Sequence, residues 1–251
     1  MTEYLVSDII KYMKENVFIC GIDIGNILDF PPRTKSCLEQ SDYIVVEHVS
    51  EFEKIKKITK LKDNVKILEF NFNMVNPNKV INEIVELANQ NKIISLISNS
   101  GMPSIYDPGT QIVVALNNAK INFTVVPGPT ALITALVRSG FNPLSFSFEG
   151  DCGVGQDRNN KFIKIKNQLL ENKTLIFYEV VPTAMPYTIE TLLDVFGENT
   201  EICVCINLTK RNETVFLGPI ANAIDWSKRF IDKLDHRNHD IDITYVCNII
   251  V

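Results

Sequence analysis

The first half of the chain alternates short apolar runs with amphipathic stretches, and that alternation leaves few folds open. Strand-like runs at residues 17–20, 43–47, 65–70, 93–98 and 123–126 are separated by helical patterns at 33–39, 52–59, 80–91 and 111–119. Strands that alternate with helices predict a parallel sheet covered on both faces. After Gly128 the pattern changes. Strand candidates at 145–148, 174–178, 202–206, 214–217 and 243–251 accompany helical stretches at 161–170, 188–196 and 221–231, and a further helix opens near 130–132. Shorter connections between apolar strands predict a second, mixed sheet. The reading is therefore a two-domain α/β chain, with an N-terminal parallel-sheet domain over 17–127 and a C-terminal mixed α/β domain over 128–251. Residues 1–16 form an extension, amphipathic over 3–15, before the first strand.

In open α/β sheets ligands bind outside the carboxyl ends of the strands. Three glycine-containing loops, two of them with prolines as well, fall at such ends: Gly21-Ile22-Asp23-Ile24-Gly25-Asn26, the stretch from Ser98 to Gly109, and Val126-Pro127-Gly128-Pro129-Thr130-Ala131-Leu132. They are the candidate site. Other classes recede. No run of ~18 apolar residues is present, and the start, Met1-Thr2-Glu3-Tyr4-Leu5, lacks a basic and then apolar leader, so the expected location is cytoplasmic, with no membrane partner. The six cysteines show no CxxC spacing and sit in apolar surroundings, which predicts buried free thiols rather than zinc or disulfides. A net charge of −5 gives no overall cationic footprint for nucleic acid. Local basic sets at Lys54, Lys56, Lys57, Lys60 and Lys62, and at Lys161, Lys164 and Lys166, read either as solvated helix faces or as a polyanion-contacting surface.

Taken in order, the Gly21 to Asp29 loop, Ser98 to Gly109, Pro127 to Ala131, Phe177-Tyr178-Glu179-Val180-Val181-Pro182 and Asn207-Leu208-Thr209-Lys210 resemble the motifs of the tetrapyrrole methylase superfamily, over roughly residues 17–251. The likeness is greatest to the branch that 2'-O-methylates a cytidine of small-subunit ribosomal RNA. The resemblance implies a two-domain tetrapyrrole methylase-like fold with S-adenosylmethionine in the cleft between the domains. It further implies an rRNA-processing role, ribosomal RNA or the small ribosomal subunit as partner, and a homodimer. By the same resemblance Asn99, Ser100 and Gly101 face the methionine part, Ile105 the donor's surroundings, and Thr130 and Ala131 the cofactor. Tyr178, Glu179, Val180, Leu208, Thr209 and Lys210 fall to the adenosine side.

The departures concentrate on the acceptor side. The branch carries Glu-Asp-Thr-Arg after its second strand, where this chain has Glu47-His48-Val49-Ser50, without an arginine to meet phosphate. Its basic Phe-Leu-Pro-Arg-Lys loop is replaced by Asp151-Cys152-Gly153-Val154-Gly155-Gln156, and its Ser-Asp-Ala-Gly by Ser98-Asn99-Ser100-Gly101. The sequence given runs to its last strand, so no counterpart of that branch's small C-terminal helical domain is expected. His48 and Asp23 are the candidate catalytic bases, each with a structural or substrate-shaping alternative. Asp107-Pro108-Gly109 is expected to fix its loop and cap the next helix, Thr130 to cap a helix as well as meet cofactor, and His236 and His239 to sit on the surface. Two other readings stay open: a methyltransferase acting on a small molecule or peptide, and a catalytically silent cofactor-binding or interaction protein.

Overall fold

The computed structural model describes residues 15–234 and 241–250. The expected N-terminal extension, apart from residues 15 and 16, and both His236 and His239 lie outside the described residues. The chain divides into two compact units, one to Thr130 and one from Ala131. Among the described residues no helix is long and apolar enough to cross a membrane.

The first unit is built on β1 (Val17–Cys20), β2 (Tyr43–Val46), β3 (Lys66–Glu69), β4 (Ile94–Leu96) and β5 (Thr124–Val126). They form one sheet in the order β3-β2-β4-β1-β5, and every pairing is parallel. Between them run α1 (Pro32–Gln40), α2 (Val49–Lys56), α3 (Pro77–Asn89) and α4 (Thr110–Asn118). All four residues of β1 are buried. That is the mark of a strand covered on both faces, and it explains the unbroken apolar run in the sequence. The period of two sorts its side chains: Val17 and Ile19 pack with Ile84 and Leu87 of α3 and Ile112 and Leu116 of α4. Phe18 and Cys20 pack with Cys37 and Leu38 of α1 and Phe52 and Ile55 of α2.

That sorting positions the site. The β1 connection leaves through α1 on one face to reach β2, and the β4 connection leaves through α4 on the other face to reach β5. Neighbouring strands whose chains depart on opposite faces leave a crevice at their carboxyl ends. The crevice lies between the Gly21 loop and the Ser98 to Gly109 loop, with the β5 loop beside it.

The second unit opens with α5 (Ala131–Ser139), then β6 (Phe146–Asp151), α6 (Gly155–Gln168), β7 (Lys173–Glu179), α7 (Met185–Phe196), β8 (Glu201–Ile206), β9 (Thr214–Pro219), α8 (Ile220–Ile231) and β10 (Ile243–Ile249). The sheet order is β6-β7-β10-β8-β9. Only β6 and β7 run parallel; the other pairings are antiparallel, so the sheet is mixed. One face carries the core, where Phe162, Ile189, Leu192 and Ala223 of α6, α7 and α8 meet Phe177, Val204, Tyr245 and Cys247. All six cysteines are buried and free.

Several element ends differ from the sequence reading. Helix α6 begins at Gly155 rather than at residue 161, because its first turn is polar. Helix α3 begins at Pro77, where proline costs no hydrogen bond and the Asn76 side chain accepts the Lys79 N–H. Two short 3-10 turns, Ile27–Asp29 and Pro182–Ala184, carry no sequence period and were not expected.

Candidate functional site

Three loops meet at the carboxyl edge of the parallel sheet and are stitched main chain to main chain. Gly21 N–H donates to the Val126 carbonyl at 2.9 Å, Ile22 N–H to Gly101 at 2.8 Å, and Gly101 N–H to Asp23 at 2.9 Å. Beneath them Thr34 Oγ1 donates to the Gly21 carbonyl at 2.6 Å. The loops come so close that a Cβ built on Gly21 would stand 2.7 Å from the Gly128 backbone, and one on Gly128 2.8 Å from the Gly21 backbone. Only glycine facing glycine permits this approach.

The Ser98 to Gly109 loop has an unusual backbone. Gly101 has φ +67°, and two residues with side chains, Ser104 and Tyr106, also take positive φ, 72° and 66°. Such conformations persist only where the surroundings enforce them, and they gather at ligand sites. Ile105 and Tyr106 are each 43% exposed at the tip, while Ser104 Oγ is buried without a hydrogen-bond partner. Asn99 and Ser100 are exposed, and Asn99 N–H donates to Glu47 Oε2 at 3.3 Å.

Asp107 does not cap α4. The N-cap position is Gly109, the last residue of the expected Asp107-Pro108-Gly109 segment, with φ 135° and no side-chain cap bond. Burial, and then the charge of Glu47, push the Asp107 carboxyl up to about 7 against the pull of a hydrogen bond from Ser98. The charge of Glu47, after β2, is thus felt by a carboxyl on the β4 loop. The sequence showed both residues but not their meeting, since they are far apart in the chain.

His48 occupies the N-cap position of α2 with no side-chain cap bond. Its Nδ1 lies 3.7 Å from Glu69 Oε1, and its side chain is 42% exposed. With Phe52, Ser98 and Asn99 it lines a shallow recess between the ends of β2 and β4. Asp23 turns one oxygen onto Gly25 N–H at 2.9 Å. The two candidate bases stand on loops of strands separated by β4, so they do not share a hydrogen bond as a dyad.

In the second unit the expected segments have distinct fates. Glu179 is turned into the core: Oε2 accepts from Thr188 Oγ1 and, at 3.0 Å, from Tyr245 Oη, and Oε1 accepts Val181 N–H at 3.1 Å. Arg158 lies 3.9 Å away, and both side chains are almost wholly buried. The motif therefore presents Val180, 46% exposed, rather than its carboxylate. Tyr178 packs edge-on against Phe148, ring centroids 4.8 Å apart. In the Asn207–Lys210 turn, Asn207 and Thr209 take φ 52° and 67°. Leu208 is buried and Lys210 Nζ pairs with Asp242 at 2.7 Å, while Thr209 Oγ1 is buried with no partner. Ala131 is the first residue of α5.

The basic sets are largely committed. Lys54 pairs with Glu51, Lys56 with Glu53 and Lys62 with Asp42. Lys161 and Lys166 donate to the carbonyls of Asp151 and Val195.

Residues 16–224 match the family model of tetrapyrrole (corrin/porphyrin) methylases. The chain is 33% identical to ribosomal RNA small subunit methyltransferase I of Mycoplasmopsis pulmonis, over 83% of this chain and 90% of that protein. It is 31% identical to the protein of the same name from Thermotoga maritima, again over 83% and 90%. Among solved structures, diphthine synthase superposes with a TM-score of 0.66 at 12% identity, covering 92% of this chain and 89% of the other. The uroporphyrin-III-C-methyltransferase of Thermus thermophilus gives 0.58 at 17% identity, covering 92% and 93%.

Proposed function

This chain belongs to the tetrapyrrole methylase family, and from that premise we propose that it transfers a methyl group from S-adenosylmethionine to the 2'-hydroxyl of a cytidine in small-subunit ribosomal RNA. The family relationship supports the reaction, and the names of the relatives at about one-third identity support small-subunit ribosomal RNA as the substrate. The observation that supports the reading is the stitched glycine edge of the first unit, where main chain rather than side chain lines the loop junction.

The residues fit the cofactor. Ser104 Oγ and Thr209 Oγ1 are buried hydroxyls without partners, each in a segment assigned to cofactor contact. A buried polar group left unpaired costs free energy, which a ligand's polar atoms remove. We assign cofactor contact to Asn99, Ser100, Gly101, Ile105 and Thr130 of the first unit. In the second unit we assign it to Ala131, Tyr178, Glu179 and Val180, with Glu179 acting through its backbone, and to Leu208, Thr209 and Lys210. When bound, S-adenosylmethionine supplies an activated methyl on a sulfonium. The chain's own work is then to orient donor and acceptor and to exclude water. The hydroxyl must also lose a proton, and His48 or Asp23 is the acceptor we assign.

With a net charge of −5 and paired lysines, the chain binds naked RNA weakly and with steep salt dependence, and efficient methylation requires the ribosomal particle. We read the enzyme as a cytoplasmic homodimer, which sedimentation would check. Mass spectrometry of ribosomal RNA from cells with and without the protein tests the acceptor: a 2'-O-methylcytidine should disappear with it. A methylated small molecule or peptide formed instead would favour the second reading, which the lost arginine loops motivate. Absence of cofactor binding by the folded protein at millimolar concentration would refute methyl transfer.

A further inference from the structure

Nine large apolar side chains are exposed among the described residues of the first unit, and seven stand on the segments that leave β1 to β4 at their carboxyl ends. Besides Ile105 and Tyr106 they are Ile27, Leu28, Val49, Phe72 and Val75. Singly exposed apolar residues need no explanation, but their concentration along the reacting edge does. The outermost are Phe72, 72% exposed, and the fully exposed Val75, both in the connection from β3 to α3.

This connection is braced. Glu69 at the end of β3 accepts the Asn71 side-chain amide on Oε1 at 2.8 Å, and its Oε2 accepts the Val49 N–H at 3.3 Å. Asn71 Oδ1 in turn accepts the Asn73 N–H at 3.0 Å. Phe72 is thus carried between two hydrogen-bonded asparagines on a loop tied to the β2 segment that bears His48. Residues 70–78 contain no charged side chain and four asparagines. Phosphate contacts need cations, which this loop lacks. An exposed ring among amides instead matches an unpaired nucleobase, which stacks on aromatic faces and exchanges hydrogen bonds along its edges.

The sheet order sets which base. β3 stands two places from β4, and at about 4.8 Å per strand the two loops emerge roughly 10 Å apart. That spacing suits a neighbouring nucleotide rather than the one presented to the methyl donor. We propose that Phe72 is a stacking platform for an unpaired base flanking the methylated cytidine. The inference rests on the ribosomal RNA reading above.

The test compares the full chain with Phe72→Ala and Phe72→Trp, using anisotropy of a fluorescein-labelled single-stranded oligoribonucleotide and methylation of small subunits lacking the modification. Phe72→Ala should weaken oligonucleotide binding by roughly 5- to 100-fold. The factor should be the same at low and high salt, because stacking releases no counterions. Its KM for subunits should rise, Phe72→Trp should restore binding, and calorimetric affinity for S-adenosylmethionine should not change. Unchanged RNA binding in Phe72→Ala, or a loss that vanishes at high salt, overturns the proposal. So does a change confined to the oligomeric state, which would make the rim a contact between copies. If the unaltered chain binds cofactor but neither binds nor methylates ribosomal RNA, the functional reading itself fails and the platform falls with it.

Discussion

Replacing Gly128 with alanine should loosen the loop junction at the edge we assign to the cofactor. The added Cβ would lie 2.8 Å from Gly21 Cα and C and 3.2 Å from its carbonyl oxygen, where ordinary contact begins at 3.4 Å. The two backbones must therefore part by roughly 0.6 Å, since neither has a flexible side chain to yield. The neighbouring Gly21 N–H to Val126 bond, 2.9 Å now, would stretch beyond the usual 3.2 Å limit. Overpacking of this kind costs about 1–3 kcal/mol, which for a chain of this size lowers the thermal midpoint by roughly 2–12 °C. Displacement of the donor edge by a fraction of an ångström should cost methyl transfer roughly tenfold to a hundredfold. Gly21→Ala should act alike, meeting Gly128 N and Cα at 2.7 Å, and the double variant should lose less than the two losses added, because both break one contact. Gly140→Ala is the control: φ is +68° but its Cβ would meet nothing within 4 Å, so about 1 kcal/mol of local strain should appear without loss of cofactor affinity. Calorimetry with S-adenosylmethionine and thermal unfolding read both effects. A Gly128→Ala chain with unaltered midpoint and unaltered Kd would show that the backbones do not touch.

Three further outcomes are expected. Because burial and Glu47 raise the folded-state value of Asp107 from 3.8 to about 7, the folded chain holds the extra proton across that window; stability should fall as pH rises through it, and Asp107→Asn should flatten the denaturation midpoint against pH. A profile already flat in the parent chain would contradict this. Glu179→Ala strands the buried Arg158 and should cost about 3–5 kcal/mol in denaturant unfolding, whereas Glu179→Gln, which can still bond Thr188 and Tyr245, should cost less. Bulky substitution of Gly101, whose Cβ would already press on Ile24 at 3.3 Å and the Pro129 carbonyl at 3.4 Å, or of Ala131, should weaken cofactor binding; unchanged affinity in both would displace the assigned site.

The sequence alone determined the βα alternation of the first unit, the mixed sheet of the second and the order of the loops at the strand ends. These are local signals. β1 is buried on both faces, so it had to be apolar throughout, and glycine and proline mark where chains turn at strand ends. Where a helix starts with a polar turn, as α6 does, no period announced it. The Asp107-Pro108-Gly109 segment does precede α4, but its cap position falls on Gly109 with positive φ, so no side chain caps the helix. What only the tertiary structure decided are meetings between residues distant in the chain: Gly21 against Gly128, Asp107 beside Glu47, Glu69 bracing the loop under Phe72, and Glu179 turned inward to Tyr245. Those pairings depend on which strands lie side by side. The order β3-β2-β4-β1-β5 is set by how helices share the two faces of the sheet, a packing choice that no segment encodes by itself.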